Sequence, residues 1–310
     1  MISEKKHVGL LEKEMCPERR IGRNTASSIA RLARRRLCQL LVGISAVMLC
    51  GCSALLFYPQ RALVDNPVAQ RFKPKDIFFP SGDGETLHGW LFTTGQAKGT
   101  VLVFHGNAEN ISTHVNGVLW LVQEGFNLFI IDYRGYGRST GKPDLNGVHR
   151  DGLAAYARLL TLPGVDPDRI VLLGQSLGGS VATYVAAVAP QREHVRLLVL
   201  DSAFFSYRQI AREKLAGIFL TWPFQYPLSW LFDDSYSASR QLGQVTAPLV
   251  IIHDRADQLV PSHHAEQLYA ACRGQRELWT TSGFGHISSF ADEKIRQRLA
   301  EKIAGIPATK

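Results

Sequence analysis

Apolar and polar positions follow three regimes along this chain. Residues 1–36 are rich in basic side chains, residues 37–58 run without a charge, and from residue 76 short apolar runs alternate with amphipathic stretches. The short runs predict strands over 76–80, 86–94, 100–104, 127–132, 170–173, 196–200, 248–253 and 277–281. Helical periodicity predicts helices over 109–124, 145–160, 177–189, 262–272 and 288–303. The first two strands flank the turn Ser81-Gly82-Asp83-Gly84 and form an antiparallel hairpin. Strand and helix then alternate. That rhythm implies an α/β fold, a doubly wound and mostly parallel eight-stranded sheet with helices on both faces.

Residues 203–245 interrupt the rhythm. They hold ten of the 29 aromatics, and Pro223 and Pro227 forbid one continuous helix. The stretch reads as a small, aromatic-rich helical insertion, packed on the core or forming an apolar, cap-like wall over the strand ends.

Charge is unevenly placed. Of the net +8, residues 1–36 supply six, with ten Lys/Arg against four Glu. The remainder is close to neutral, which argues against a nucleic-acid partner. Four of the five cysteines, Cys16, Cys38, Cys50 and Cys52, lie in the first 52 residues. The body therefore has no disulfide framework and no cysteine-based metal site, and nothing in it implies a cofactor.

Arg34, Arg35 and Arg36 precede the uncharged run, which ends in Leu49-Cys50-Gly51-Cys52. A basic cluster, an apolar run and small residues at its end form a secretory signal pattern. The last four residues resemble a bacterial lipobox, which implies cleavage before Cys52 and lipid attachment there. The alternative is an uncleaved single-pass anchor, since 22 uncharged residues can span a bilayer. Either arrangement places the body in the cell envelope, outside the cytoplasm. The chain thus divides into a leader (1–51), a polar tether (52–75) and a folded domain (76–310).

The chemistry centres on Gly174-Gln175-Ser176-Leu177-Gly178, which joins a buried strand to an Ala-rich helix. A serine at such a turn points from the sheet edge over a helix N-terminus. It needs a base, and the base an orienting acid. In a parallel sheet these come from just beyond other strand ends. Asp257 follows the strand over 248–253, with Asp254 its competitor as acid. His286 follows the last strand, behind Gly283 and Gly285. The order Ser176, Asp257, His286 is nucleophile, acid, base. The N–H groups of Leu177 and Asn107 are the expected oxyanion donors, while His105 and Asp132 read as structural.

Together, His105-Gly106-Asn107, the stretch from Asp132 to Gly137, Gly174-Gln175-Ser176-Leu177-Gly178-Gly179, the Asp257 turn and Gly285-His286 resemble the α/β-hydrolase superfamily. Within it the chain is similar to membrane-tethered bacterial hydrolases of the serine-aminopeptidase-like group, depalmitoylases and monoacylglycerol lipases. The resemblance spans residues 75–305. It implies the α/β-hydrolase fold and a Ser-His-Asp triad, but no substrate. The expected activity is hydrolysis of carboxylic esters or thioesters, lipid-like ones included. A peptidase with the same triad is the alternative, and an idle envelope binding protein the reading of another class.

Overall fold

The structure is a computed structural model that describes residues 34–36, 39 and 57–306. Cys52 and most of the leader lie outside the described residues. The chain divides into two units, Met1–Gly51 and Cys52–Lys310. Among the described residues, no helix is long and apolar enough to cross a membrane.

Eight strands build the main sheet: β1 (Lys75–Pro80), β2 (Thr86–Phe92), β3 (Thr100–Phe104), β4 (Asn127–Asp132), β5 (Ile170–Gln175), β6 (Val195–Asp201), β7 (Leu249–Asp254) and β8 (Arg276–Thr281). Their spatial order is β8-β7-β6-β5-β3-β4-β2-β1. β2 runs antiparallel to both neighbours, and all other pairings are parallel. Every residue of β3, β4, β5 and β7 is buried. That is why these strands read as continuous apolar runs rather than alternating ones.

Alternation decides which face each side chain covers. Leu102, Phe104, Leu172, Leu198 and Ile251 join one apolar cluster with Val148, Val181, Val185 and Leu268. Val101, Val103, Val171, Val199 and Ile252 join the other with Ile111, Val115, Ile295 and Leu299. Neighbours along a strand point to opposite faces, so a sheet of Val, Ile and Leu needs a helix layer on each side. Helices α1 (Leu145–Leu159), α2 (Leu177–Val188) and α4 (His263–Ala271) cover the first face, and α5 (Glu293–Ala304) the second. Helix α3 (Tyr207–Ala216) opens the insertion between β6 and β7.

Three expectations change. The helix expected over 109–124 is broken into a two-residue strand (Ala108–Glu109), a turn of helix (Ile111–His114), a 3-10 turn (Val115–Gly117) and a second short helix (Trp120–Gln123). Asn110 starts the first turn by accepting from Ser112 N (3.0 Å), and Val118, at φ −125°, interrupts the run after Asn116 and Gly117. The described part of the tether is docked, not free. Tyr58–Pro59 pairs in parallel with Ala108–Glu109, and Asn66 caps the short helix Pro67–Gln70 while donating to Ser112 O (2.7 Å). In the insertion, Phe204 and Tyr207 are buried, but Phe219, Trp222, Phe224, Tyr226 and Trp230 are exposed. Half of its aromatics are therefore exposed rather than packed on the core.

Candidate active site

Ser176 stands between β5 and α2 at φ 52° and ψ −114°, a backbone region that costs a non-glycine residue about 1–3 kcal/mol. The surroundings impose that conformation. Ser176 N donates to Asp201 O (2.9 Å), and Gly179 N donates to Ser176 O (3.0 Å). A Cβ at Gly174 would strike the Gly178 backbone, and one at Gly178 would strike the carbonyls of Phe104 and His105. The turn is thus pressed against the end of β3, and only glycine allows so close an approach.

That contact sets the end of β3, which leads to Asn107, against the start of α2, which begins at Leu177. His105 Nδ1 donates to Gly106 O (2.7 Å). In a trans peptide the N–H points opposite the C=O, so this bond aims Asn107 N–H away from His105. Tyr136 Oη (2.5 Å) and Tyr58 N (3.3 Å) both donate to Asn107 O. Among the described residues, neither Asn107 N nor Leu177 N donates to a protein acceptor. Leu177 N lies in the first turn of α2, where the helix dipole favours negative charge.

Asp257 and His286 are in contact. His286 Nδ1 donates to Asp257 Oδ2 across 2.7 Å, leaving its Nε2 lone pair without a protein partner among the described residues. Asp257 Oδ1 accepts from Leu259 N and Val260 N, each at 2.9 Å. Burial alone would raise the Asp257 pKa. The His286 bond and the two amides outweigh it and hold the carboxyl below its ordinary value, so it stays ionised.

Ser176 and His286 are not hydrogen-bonded to each other in this structure. Their loops are nonetheless tied to the same pair of residues. Ile287 N donates to Ser202 Oγ (3.0 Å), and Ser176 N to the adjoining Asp201 O. A Cβ built on Gly106 would lie 3.8 Å from Ser176 Cβ and 3.9 Å from Ile287 Cδ1. In unliganded sites such a serine–histidine bond often tightens only when substrate binds.

The sequence and the fold are similar to those of known proteins. The sequence model of a family described as serine aminopeptidase, S33, matches residues 95–226. The chain is 36% identical over 225 residues to the uncharacterized protein YfhR of Escherichia coli O157:H7, covering 70% of this chain and 75% of the relative. It is 31% identical over 214 residues to the alpha/beta hydrolase domain-containing protein WAV2 of Arabidopsis thaliana, covering 63% and 66%. The esterase Pf2001 of Pyrococcus furiosus superposes with a TM-score of 0.65 at 23% identity, covering 81% of this chain and 97% of that one. The chain belongs to the α/β-hydrolase superfamily.

Backbone strain in this α/β hydrolase concentrates around the serine. Three of its six non-glycine residues at positive φ among those described, Ser176, Ser202 and Ile287, lie in the segments just described, and a fourth, Glu109, is two residues past Asn107. Such strain persists only where the surrounding structure over-determines it. Asp254, the competing acid, has a different task. Its carboxylate accepts from Thr281 Oγ1 (2.8 Å), Gly283 N (3.2 Å), Phe284 N (3.1 Å) and Ala256 N (2.7 Å). It therefore clamps the loop that carries His286. Burial opposes its ionisation, yet these donors keep its pKa below the ordinary value.

Asp132 bonds a backbone amide, Ile111 N (2.9 Å), and fixes the segment after the Asn107 loop. Tyr136 is the residue that sequence reasoning missed. Its motif is visible as a Gly-rich turn, but nothing in the spacing says that its hydroxyl reaches Asn107. A cavity of about 530 Å³ lies at the opposite end of the sheet, lined in part by Glu193, Gln275 and Lys302. None of the site residues borders it.

Proposed function

We propose that this hydrolase cleaves carboxylic esters or thioesters through an acyl-enzyme on Ser176. The reading is carried by one convergence: a strained serine, a carboxylate-bound imidazole and two unengaged amides at one edge of the sheet. His286 Nε2 removes the Ser176 proton as Oγ attacks the carbonyl carbon. Asp257 holds the imidazole and stabilises its charged form. Asn107 N–H and Leu177 N–H donate to the oxyanion, each worth on the order of 100- to 1000-fold in rate. Collapse expels the alcohol or thiol, which takes its proton from His286. Water, deprotonated by His286, then frees the acid by the same route. No step calls for a metal or cofactor.

An apolar acyl group is favoured by the exposed side chains of the site loops, Tyr58, Leu259 and Phe284. That the structural neighbour Pf2001 is an esterase also favours ester chemistry. The description of the matched family favours a second reading, amide cleavage by the same residues. A panel of ester, thioester and peptide substrates separates the two. The basic cluster, the uncharged run and the Cys52 motif support a lipid tether in the cell envelope, with the catalytic domain outside the cytoplasm. Loss of the protein from the membrane fraction in Cys52→Ser would support it, and retention there would favour a single-pass anchor.

The test of the chemistry is covalent labelling by a fluorophosphonate. Labelling lost in Ser176→Ala and kept in Ser180→Ala is expected. Folded protein that resists the probe would overturn the assignment and favour an idle scaffold. Hydrolysis of p-nitrophenyl esters from acetate to palmitate then maps the acyl preference.

A further inference from the structure

The insertion presents an uncharged surface beside the site. Helix α3 is capped by Ser206, which accepts from Gln209 N (3.1 Å). Its last turns are latched to the body. Glu213 accepts from His263 Nε2 (2.9 Å) and His264 Nε2 (3.0 Å), and Lys214 Nζ donates to Gln258 O (3.4 Å). Gln258 adjoins Asp257. These three side chains, Glu213, His263 and His264, could converge on a metal ion. However, Phe205 N donates to His264 Nδ1 (3.1 Å), so the Nε2 facing Glu213 carries the proton and cannot ligate. The cluster is a latch. It fixes the end of α3 against the loop that carries the site's acid.

Directly beyond the latch the chain loses its charge. Residues 215–232 contain no Asp, Glu, Lys or Arg. Ile218, Phe219, Leu220, Trp222, Phe224, Tyr226 and Trp230 are all exposed, Phe219 at 89%, Leu220 at 79% and Trp230 at 71%. One exposed leucine is ordinary, but seven large apolar side chains in one segment mark a binding surface. Of the fourteen exposed large hydrophobics among the described residues, ten belong to this segment or to Tyr58, Leu259 and Phe284. The apolar exposure is therefore concentrated around the loops of the site.

Three observations specify the occupant. Trp and Tyr mixed with aliphatic side chains suit the boundary between lipid headgroups and acyl chains. The flanking charges balance, with Arg208, Lys214 and Arg212 (against the Tyr226 ring at 5.3 Å) offset by Glu213, Asp233 and Asp234, so contact by this surface is apolar rather than electrostatic. Finally, the uncharged run that precedes the body joins it at Tyr58, whose amide donates to Asn107 O. That junction lies at the carboxyl end of β3, the same sheet edge from which the insertion leaves β6.

We propose that residues 215–232, with Tyr58, Leu259 and Phe284, dock on the interfacial region of a phospholipid bilayer. Docking holds the loops of the site at the membrane surface through apolar and aromatic contact. The surface acts whether or not Ser176 is a nucleophile.

The test uses the full chain in vesicles of phosphatidylethanolamine and phosphatidylglycerol carrying bromine-labelled acyl chains. Trp222 and Trp230 should be quenched by the bromine. The double variant Trp222→Phe/Trp230→Phe should lose that quenching, and Phe219→Glu/Leu220→Glu should reduce it while the protein stays vesicle-bound through its leader. Vesicle-bound protein whose fluorescence ignores the bromine would overturn the proposal. So would concentration-dependent cross-linking between copies that Phe219→Glu/Leu220→Glu abolishes, which would assign the surface to a second copy or a protein partner. Fluorophosphonate labelling of the same samples reads the catalytic assignment separately.

Discussion

Tyr136 shows how much of the site's precision rests on a residue that touches no reacting atom. Its hydroxyl holds Asn107 O at 2.5 Å, and that carbonyl belongs to the residue whose amide is the proposed oxyanion donor. Tyr136→Phe removes the bond while keeping the ring that packs on His105 at 5.3 Å and on Tyr133 at 5.8 Å. Ester hydrolysis should fall in kcat by about 10-fold with KM nearly unchanged, because a misaligned donor weakens the transition state more than the ground state. An equal loss in KM would assign the bond to substrate binding instead. The two aspartates after β7 separate in the same way. Asp257→Asn should lower kcat by on the order of 1000- to 10,000-fold with little change in folding, since the amide can impose the wrong tautomer on His286. Asp254→Asn keeps the shape but weakens four accepted hydrogen bonds. It should lower the thermal midpoint and leave a larger share of kcat. The reverse ranking, read by steady-state kinetics beside thermal unfolding, would exchange their roles.

At the scale of elements, what was legible in the sequence is what burial dictates. Strands such as Val101 to Phe104 are sandwiched between two helix layers, so they must be apolar at every position, and a run of that kind shows in one sequence. Ser176 and Asp257 stand just beyond such strands, β5 and β7, whereas His286 follows the partly buried strand β8 and is marked by the glycines around it. The segment over 109–124 was not legible. Its apolar residues keep helical spacing, but the chain is held by distant partners that spacing does not reveal. Asn110 is the clearest case. Its side chain caps the turn at Ser112 and donates to Gln60 O (3.0 Å) and Ala62 O (2.8 Å). One amide thus joins the Asn107 loop to the docked N-terminal strap. The same blindness to long-range bonds made the strap read as a tether. Asn110→Ala should cost about 2 kcal/mol from the lost cap and buried bonds. For a body of this size that is a fall of roughly 4–8 °C in the thermal midpoint. Activity should fall as well, because the strap's Tyr58 N bonds Asn107 O. Full activity in a destabilised Asn110→Ala would show that the strap supports the fold alone.

For the molecule as a whole, stability should depend on pH through a histidine far from the chemistry. His149 on α1 is fully buried among the rings of Tyr184, Tyr207 and Tyr236. Its Nδ1 bonds Leu145 O (2.7 Å), while its Nε2 is buried without a partner. Burial favours the neutral ring and pushes the pKa down to about 4 from an ordinary 6.5. The sign follows from proton counting. Between those two values the unfolded chain holds a proton at this position that the folded chain does not, so unfolding gains ground as pH falls. The loss begins near pH 6.5, is complete near pH 4, and amounts to roughly 3 kcal/mol at 1.4 kcal/mol per unit. Buried Asp151 and Asp201 oppose this trend. Burial raises their pKa values, which favours the folded state as pH falls. The raw pH profile therefore mixes both effects, and a variant is needed to isolate the histidine. His149→Phe keeps a ring in the aromatic nest and removes the titrating group. Urea midpoints of the two proteins, compared between pH 7 and pH 4, should diverge in favour of the variant as pH falls. Parallel profiles would mean that His149 takes up its proton without opening the fold, and the acid sensitivity would then have to lie elsewhere in the chain.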